Sequence, residues 1–373
     1  MSTPAFLKTL EREVYRPIIN IIFPRPYRVK AMQIAMKVYL FFKPIKYNYI
    51  QGNTPLGKKL CVFVSYQPRG ILPTTWKYIK HLQERLGYSV VFISNCPLQK
   101  QDIPYLQGIC HEVIERDNIG YDFGAYKDGI LRYIQKMGNE FNNLESLLIA
   151  NDSVIGPIYD MLPIYEKMQA EDCDFWGMND FFEDRDVYKI NTKSIPHVCS
   201  YFICFKTHLL KTEVFKKLWR QMQYPNGRKI AIRTEKKVGQ YFLNNKFSYS
   251  VYIKKEEIIE YMYRNPDAVD RDLFFNKQKL FYEYAGNNNR YLYVTHSHSN
   301  DSAPMLTLTH FGMPLMKRDL IKKDIINMSI FKAILNIYEK QLTGIVTKEE
   351  ILDEMGLNPR TQNSIFKWKK YII

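Results

Sequence analysis

The sequence predicts an α/β fold in which a largely parallel sheet is covered by helices on both faces. From residue 58 onward, short apolar runs alternate with amphipathic runs of helical period. The apolar runs are nearly continuous rather than alternating, as in strands buried on both faces. The chain has 373 residues, 46% hydrophobic and 24% charged. That is enough apolar material for a full core and excludes a disordered chain.

The first predicted strand is KKLCVFVSY, 58–66, closed by QPRG. TTWKYIKHLQERLG follows, with Trp76, Ile79, Leu82 and Leu86 on one side and Gly87 as a stop. YSVVFISN (88–95) and HEVIER (111–116) are the next strands. NIGYDFGA then leads into a helix expected over 125–137, and SLLIAND (146–152) is the fourth apolar strand. Beyond it the pattern becomes mixed. CDFWGMND (173–180) and VCSYFICFK (198–206) are strands separated by an acidic stretch; the helices EVFKKLWRQM and EKKVGQYFLNN and the strand YSVYIK follow. The region 257–310 is rich in Tyr and Asn and shows no clear period, and from MPLMKRDLIKKD onward the chain is basic and helical. Three parts result: a basic aromatic segment over 1–55, a main domain over 56–310, and a basic helical segment over 311–373.

The formal net charge of +15 predicts an anionic partner. Residues 1–59 carry eleven Lys or Arg against two acids, Glu11 and Glu13, interleaved with aromatic and aliphatic residues. No window approaches the ~20 apolar residues of a spanning helix, and the first residues lack a signal-peptide layout. The expectation is a cytoplasmic protein, peripheral on the anionic inner face of the cell membrane. A core-packed helix with solvated lysines is the competing reading. Six cysteines without a CxxC pair, most of them in apolar runs, read as buried thiols in a reducing compartment. No helix-turn-helix, RNP-like or zinc-finger pattern is present and the basic residues are dispersed, which argues against nucleic acid.

Ligands of open parallel sheets bind at the carboxyl ends of the strands. Three segments fall there: SYQPRG with Ser65 and Tyr66, NIGYDFGA with Asn118, Gly120 and Asp122, and NDSVIGP with Asn151, Asp152 and Ser153. Two glycines around a carboxylate suggest that a ligand closely approaches the backbone; a plain strand-to-helix turn with an Asp cap is the alternative. A desolvated Asp152 at a strand tip needs a partner, either a divalent cation that bridges to a diphosphate or a helix start that it caps. GxGxxG is absent after the first strand, and so is GxxxxGK[ST]. That points toward nucleotide-sugar chemistry.

In order and content, NIGYDFGAYKDGI, LLIANDSVIGP, DFWGMND, HVCSYFICFK and RTEKKVGQYFLNNKFSYSVYI resemble the rhamnan synthesis protein F family over roughly residues 58–255, with HFGMPLMKRDLI as a weaker echo. The resemblance implies a GT-A-like fold, a Rossmann-type mixed sheet flanked by helices with N- and C-terminal helical additions. It also implies a glycosyltransferase of bacterial surface polysaccharide synthesis. The donor would be a nucleoside-diphosphate sugar, typically TDP-L-rhamnose, and the acceptor a glycan or lipid-linked glycan. Asn118, Gly120 and Asp122 match the family's turn against the donor nucleotide. Asp152 matches the metal-binding Asp-x-Asp position, but Ser153-Val154 follow in place of a second acid, so Mg²⁺ or Mn²⁺ and neutralisation by basic residues both stay open. Glu235 falls where similar inverting enzymes place a base at the start of a helix, with Asp180 second. His197, Ser200 and Tyr201 look like polar groups on the donor or acceptor side. His296 and His298 could hold a metal or a diphosphate, and Lys317 and Arg318 could meet phosphate or membrane. A non-catalytic protein that binds anionic lipid or polymer on a decayed transferase fold is the competing function.

Overall fold

The computed structural model describes residues 28–181, 197–225, 227–265, 304–319 and 345–354. His296 and His298 lie outside the described residues. Helix α1 (Arg28–Phe42) precedes strands β1 (Tyr47–Gln51) and β2 (Lys59–Ser65). Helix α2 (Pro73–Lys80), prolonged by a π-turn over His81–Arg85, leads to β3 (Ser89–Ser94). Helix α3 (Asp102–Ile109), β4 (Glu112–Arg116), α4 (Tyr121–Met137) and β5 (Ser146–Asn151) complete the first half. The two-residue strand β6 (Val154–Ile155), α5 (Leu162–Ala170), β7 (Phe175–Phe181), β8 (His197–Val198) and β9 (Phe202–Lys206) follow. Then come α6 (Thr207–Leu210), α7 (Glu213–Gln221), α8 (Arg228–Asn244), β10 (Tyr249–Ile253) and α9 (Lys255–Arg264). Helix α10 (Pro304–Thr309), β11 (Met316–Lys317) and α11 (Lys348–Glu354) come from the C-terminal part.

The main sheet runs β1-β4-β3-β2-β5-β9-β7-β10, with β8 on β7. Strands β4, β3, β2 and β5 are mutually parallel, as are β7 and β10; β1 and β9 run against their neighbours. This is the mixed α/β architecture expected, a largely parallel sheet flanked by helices. All six parallel strands therefore end at one rim. There Val64 pairs with Asn151, and Ala150 with Phe202, the first residue of the returning β9.

The central parallel strands β2, β3 and β5 are buried on both faces. Along β2, Cys61 and Phe63 enter one core with Tyr78, Phe92 and Trp176. Leu60, Val62 and Val64 enter the other with Ile93, Tyr126 and Trp219. This is why the strands read as unbroken apolar runs. The cysteines are free thiols, all buried except the half-buried Cys173, as expected.

Several boundaries differ from the expectation. The edge strand β1 lies inside the segment 1–55 and pairs with β4 from Tyr47↔Arg116 to Gln51↔Glu112. Its residues are mostly exposed, so it carries no buried apolar run to announce it. The stretch 198–206 is two strands rather than one, because Cys199–Tyr201 turn between β8 and β9. Helix α4 begins at Tyr121, so Asp122 belongs to the first helical turn. Helix α8 begins at Arg228, which places Glu235 two turns inside it rather than at its start. Nor is the C-terminal part all helix: β11 pairs with β6, Lys317 opposite Val154.

Candidate functional site

Strand β4 ends in Arg116, a buried guanidinium that donates to Asn95 Oδ1 (2.6 Å) and to the Ile119 carbonyl (2.7 Å). Its Nε faces Asp128 of α4 at 3.0 Å, and Asp128 also accepts from the hydroxyls of Tyr47 (3.0 Å) and Tyr224 (2.5 Å). This network fixes the turn over residues 117–120. Gly120 then takes φ +83°, a left-handed conformation, and α4 starts. A Cβ on Gly120 would meet the Tyr224 ring at 2.9 Å, and one on Gly124 would meet the Ile119 carbonyl oxygen at 2.3 Å. The space beside both glycines is thus filled by the protein itself, Tyr224 above all. The glycines let the turn and the ring pack; they leave no gap on that side for a ligand.

The helix start aims Asp122 at the end of β5, where Asn151 Nδ2 donates to its carboxylate at 3.2 Å. Asn151 Oδ1 accepts from Ser153 N–H (3.0 Å) and Ser153 Oγ–H (2.6 Å), which folds residues 151–153 into a tight turn. Asp152 points back to the end of β2, where its carboxylate accepts from Ser65 Oγ–H (2.7 Å) and Tyr66 N–H (3.0 Å). Neither helix-cap reading holds: Gly120, without a side chain, occupies the cap of α4, and Asp152 binds a strand end. The three strand-end loops marked in the sequence therefore meet at one rim.

Across β9, Glu235 of α8 accepts from Ser200 N–H at 2.7 Å. Burial raises its pKa, but Lys317, His197 and the Ser200 N–H outweigh that and hold the carboxyl below its ordinary range. Tyr126 O–H donates to the Ser200 carbonyl (3.2 Å), tying this corner to α4. Tyr201 O–H donates to Asn179 Oδ1. Asp180 is turned to other work: its carboxylate accepts from Lys255 N–H (2.8 Å) at the start of α9, and burial raises its pKa.

Asp122 is pushed up to about 7, first by burial and then by the Asp152 charge, with Lys317 opposing. A folded pKa above the unfolded one means that the folded chain binds the extra proton. Stability therefore falls as pH rises from about 4 to about 7. We expect Asp122→Asn to match the wild type below pH 4 and to exceed it at pH 8, by up to about 4 kcal/mol before solvent screening. Urea unfolding at the two pH values measures this; a variant no more stable at pH 8 would refute it.

Sequence reasoning passed over Arg116, Asp128 and Tyr224, which build the turn over residues 117–120. Arg318 had a different role from the phosphate or membrane contact expected. It is 4% exposed, and its Nε donates to the Asp152 carbonyl (2.6 Å) while the guanidinium reaches Thr74 (3.0 Å), Thr75 (2.9 Å) and the Glu354 carboxylate.

A divalent cation at Asp152 meets a carboxylate that already accepts two hydrogen bonds, with Asp122 near enough for the two charges to act on each other. Among the described residues no group of three or more His, Cys, Asp or Glu gathers to hold a metal ion. The described residues do not form a protein-built metal site.

The family model of rhamnan synthesis protein F matches residues 90–343. The uncharacterized protein y4gN of Sinorhizobium fredii is 30% identical over 211 residues, 56% of this chain and 52% of that protein. Virulence protein VirA of Vibrio anguillarum is 40% identical over 72 residues, 19% of this chain and 21% of that protein. The chain thus spans about half the length of the first relative and a fifth of the second. Among solved structures, a glycosyltransferase involved in the glycosylation of the major capsid of PBCV-1 aligns with 15% identity and a TM-score of 0.29, covering 53% of this chain and 81% of that one. S. aureus TarS 1–349 aligns with 11% identity and a TM-score of 0.30, covering 84% and 90%. TM-scores this low support no conclusion.

Proposed function

The chain belongs to the rhamnan synthesis protein F family, and from that premise we propose that it is an inverting glycosyltransferase. In this reading it moves a sugar, L-rhamnose from TDP-L-rhamnose in the first instance, onto a bacterial surface polysaccharide or lipid-linked glycan. The observation that carries the reading is the meeting of Ser65–Tyr66, Asn118–Asp122 and Asn151–Ser153 at one rim, knitted by the Asp152 and Asn151 hydrogen bonds. Asn118 and Asp122 face the nucleoside, and Asp152 with Ser65 and Tyr66 frames the diphosphate. His197 and Ser200 set the position of Glu235.

In the transfer step an acceptor hydroxyl oxygen forms a bond to the sugar C1 as the bond from C1 to the phosphate oxygen breaks. The bonding pair leaves with the diphosphate, and the hydroxyl proton passes to the Glu235 carboxylate. Holding Glu235 ionised keeps it able to accept that proton. Asp180, engaged at the start of α9, is the weaker candidate for the base. A divalent cation bound through donor phosphate oxygens would add charge stabilisation; no step above depends on it.

The test is a panel of nucleoside-diphosphate sugars, read by thermal stabilisation and by slow donor hydrolysis. Stabilisation by TDP-L-rhamnose that is lost in Asp152→Ala supports the reading. Stabilisation by polyanions alone, abolished by salt, would replace it with the anion-binding alternative.

The proposal extends to the anionic inner face of the membrane. No described helix is long and apolar enough to cross a bilayer. Helix α1 leaves Ile34, Val38, Phe41 and Phe42 52–82% exposed, in a chain segment rich in Lys and Arg, which is a composition suited to interfacial binding. We expect Ile34→Ser/Phe41→Ser/Phe42→Ser to lower sedimentation with vesicles containing phosphatidylserine at low salt by about tenfold, given the apolar area lost. Equal sedimentation of variant and wild type would exclude α1 as the contact.

A further inference from the structure

Arg318 and Lys317 are adjacent, yet the β6–β11 ribbon gives them different surroundings. Successive residues of a strand project to opposite faces. Arg318 N–H donates to the Ser153 carbonyl at 2.9 Å, and its side chain is consumed by the Asp152 carbonyl, Thr74, Thr75 and Glu354. Lys317 projects the other way, with its ammonium 4.6 Å from the centroid of the Tyr201 ring. It is half-buried, and its charge acts on Asp122 of α4 and on Glu235 of α8, two helices that share one core. No described carboxylate forms an ion pair with it. A half-buried ammonium resting on an aromatic face, central among acids yet paired with none, has donor capacity to spare for an anion.

We propose that Lys317 supplies the cation that holds the diphosphate of the nucleotide donor at this rim, in place of a protein-built metal site. The inference rests on the glycosyltransferase reading and names the residue that meets the leaving group. Three features support it. Among the described residues, no group of three or more His, Cys, Asp or Glu gathers at the strand-end loops to hold a metal. The ribbon places Lys317 opposite Val154, two residues from Asp152. Arg318 is already engaged and unavailable. As the diphosphate departs, the Lys317 ammonium would stabilise the charge that accumulates on the leaving phosphate oxygens.

Binding of TDP and UDP, and of thymidine and uridine as uncharged references, is measured by calorimetry in EDTA for the full chain and for Lys317→Met, Lys317→Gln and Lys317→Arg. The wild type is expected to bind at least one diphosphate in EDTA. Lys317→Met and Lys317→Gln should bind it at least tenfold more weakly, consistent with a charged hydrogen bond, with nucleoside affinity within twofold of the wild type. Lys317→Arg should recover most of the loss. Diphosphate affinity within twofold of the wild type in both neutral variants would overturn the role of Lys317 and leave the transferase reading standing. Wild-type binding that EDTA abolishes and Mn²⁺ restores would also overturn it, by assigning the charge to a metal. A wild type that binds neither diphosphate, with or without Mn²⁺, would remove the transferase reading itself.

Discussion

Glu235→Gln is expected to lower transfer by about 10²–10⁴-fold, the usual contribution of a positioned general base, while donor affinity stays within about threefold. The substitution is nearly isosteric. The amide oxygen can still accept the Ser200 N–H that now bonds the carboxylate at 2.7 Å, so the β8–β9 corner keeps its shape. What disappears is the basic oxygen. Because Lys317 and His197 hold Glu235 below the ordinary carboxylate range, the wild type should keep its activity well below neutral pH. The activity should then decline as the carboxylate protonates. Steady-state kinetics against pH, with donor binding measured in parallel, test both statements. Unchanged turnover in Glu235→Gln would remove it as the base, and a parallel loss of donor binding would make it a structural residue.

Arg318→Met is expected to cost about 3–5 kcal/mol of stability, the range for stripping one partner from a buried ion pair. The guanidinium is the only described cation on the buried Glu354 carboxylate. It also satisfies the Asp152 carbonyl and reaches the hydroxyls of Thr74 and Thr75. Methionine fills much of the volume and supplies none of those bonds. Urea unfolding should show a lower midpoint at unchanged slope. Arg318→Lys should fall between, since an ammonium cannot reproduce a planar fork with several partners. The double variant Arg318→Met/Glu354→Met should recover part of the loss, because the stranded charge is gone. A double variant less stable than the single one would show that the Glu354 charge is not what makes the loss large. Donor binding should also weaken in Arg318→Met, since the same side chain pins the main chain at Asp152.

The strands were legible where burial is two-sided. KLCVFVS, SVVFIS and SLLIAN are continuous apolar runs because alternate residues enter two different cores. The edge strand YNYIQ was not, because one partner and an exposed face leave no apolar signal. The loop residues of the site were legible too. Polar residues and glycines crowded at the ends of apolar strands stand out against their neighbours, and Ser65, Asn118–Asp122 and Asn151–Ser153 do meet. The roles of the glycines were not legible, since the packed Tyr224 ring and the Ile119 carbonyl, which exclude a Cβ at 120 and 124, come into place only in the fold. The start of α8 was misplaced because its first two turns, RKIAIR, are basic and carry no capping side chain.

By itself, the sequence determined the class of sheet, the strand ends that form the rim, and the acidic and amide side chains displayed there, because hydrophobic period and turn chemistry are local properties. The tertiary structure alone decided which distant groups complete the rim. The antiparallel return of β9 between β5 and β7 brings Ser200 to Glu235, and the pairing of β11 with β6 divides Lys317 from Arg318. Such meetings depend on strand order and on which face of a ribbon a residue occupies. Residues 165 positions apart leave no periodic trace of them.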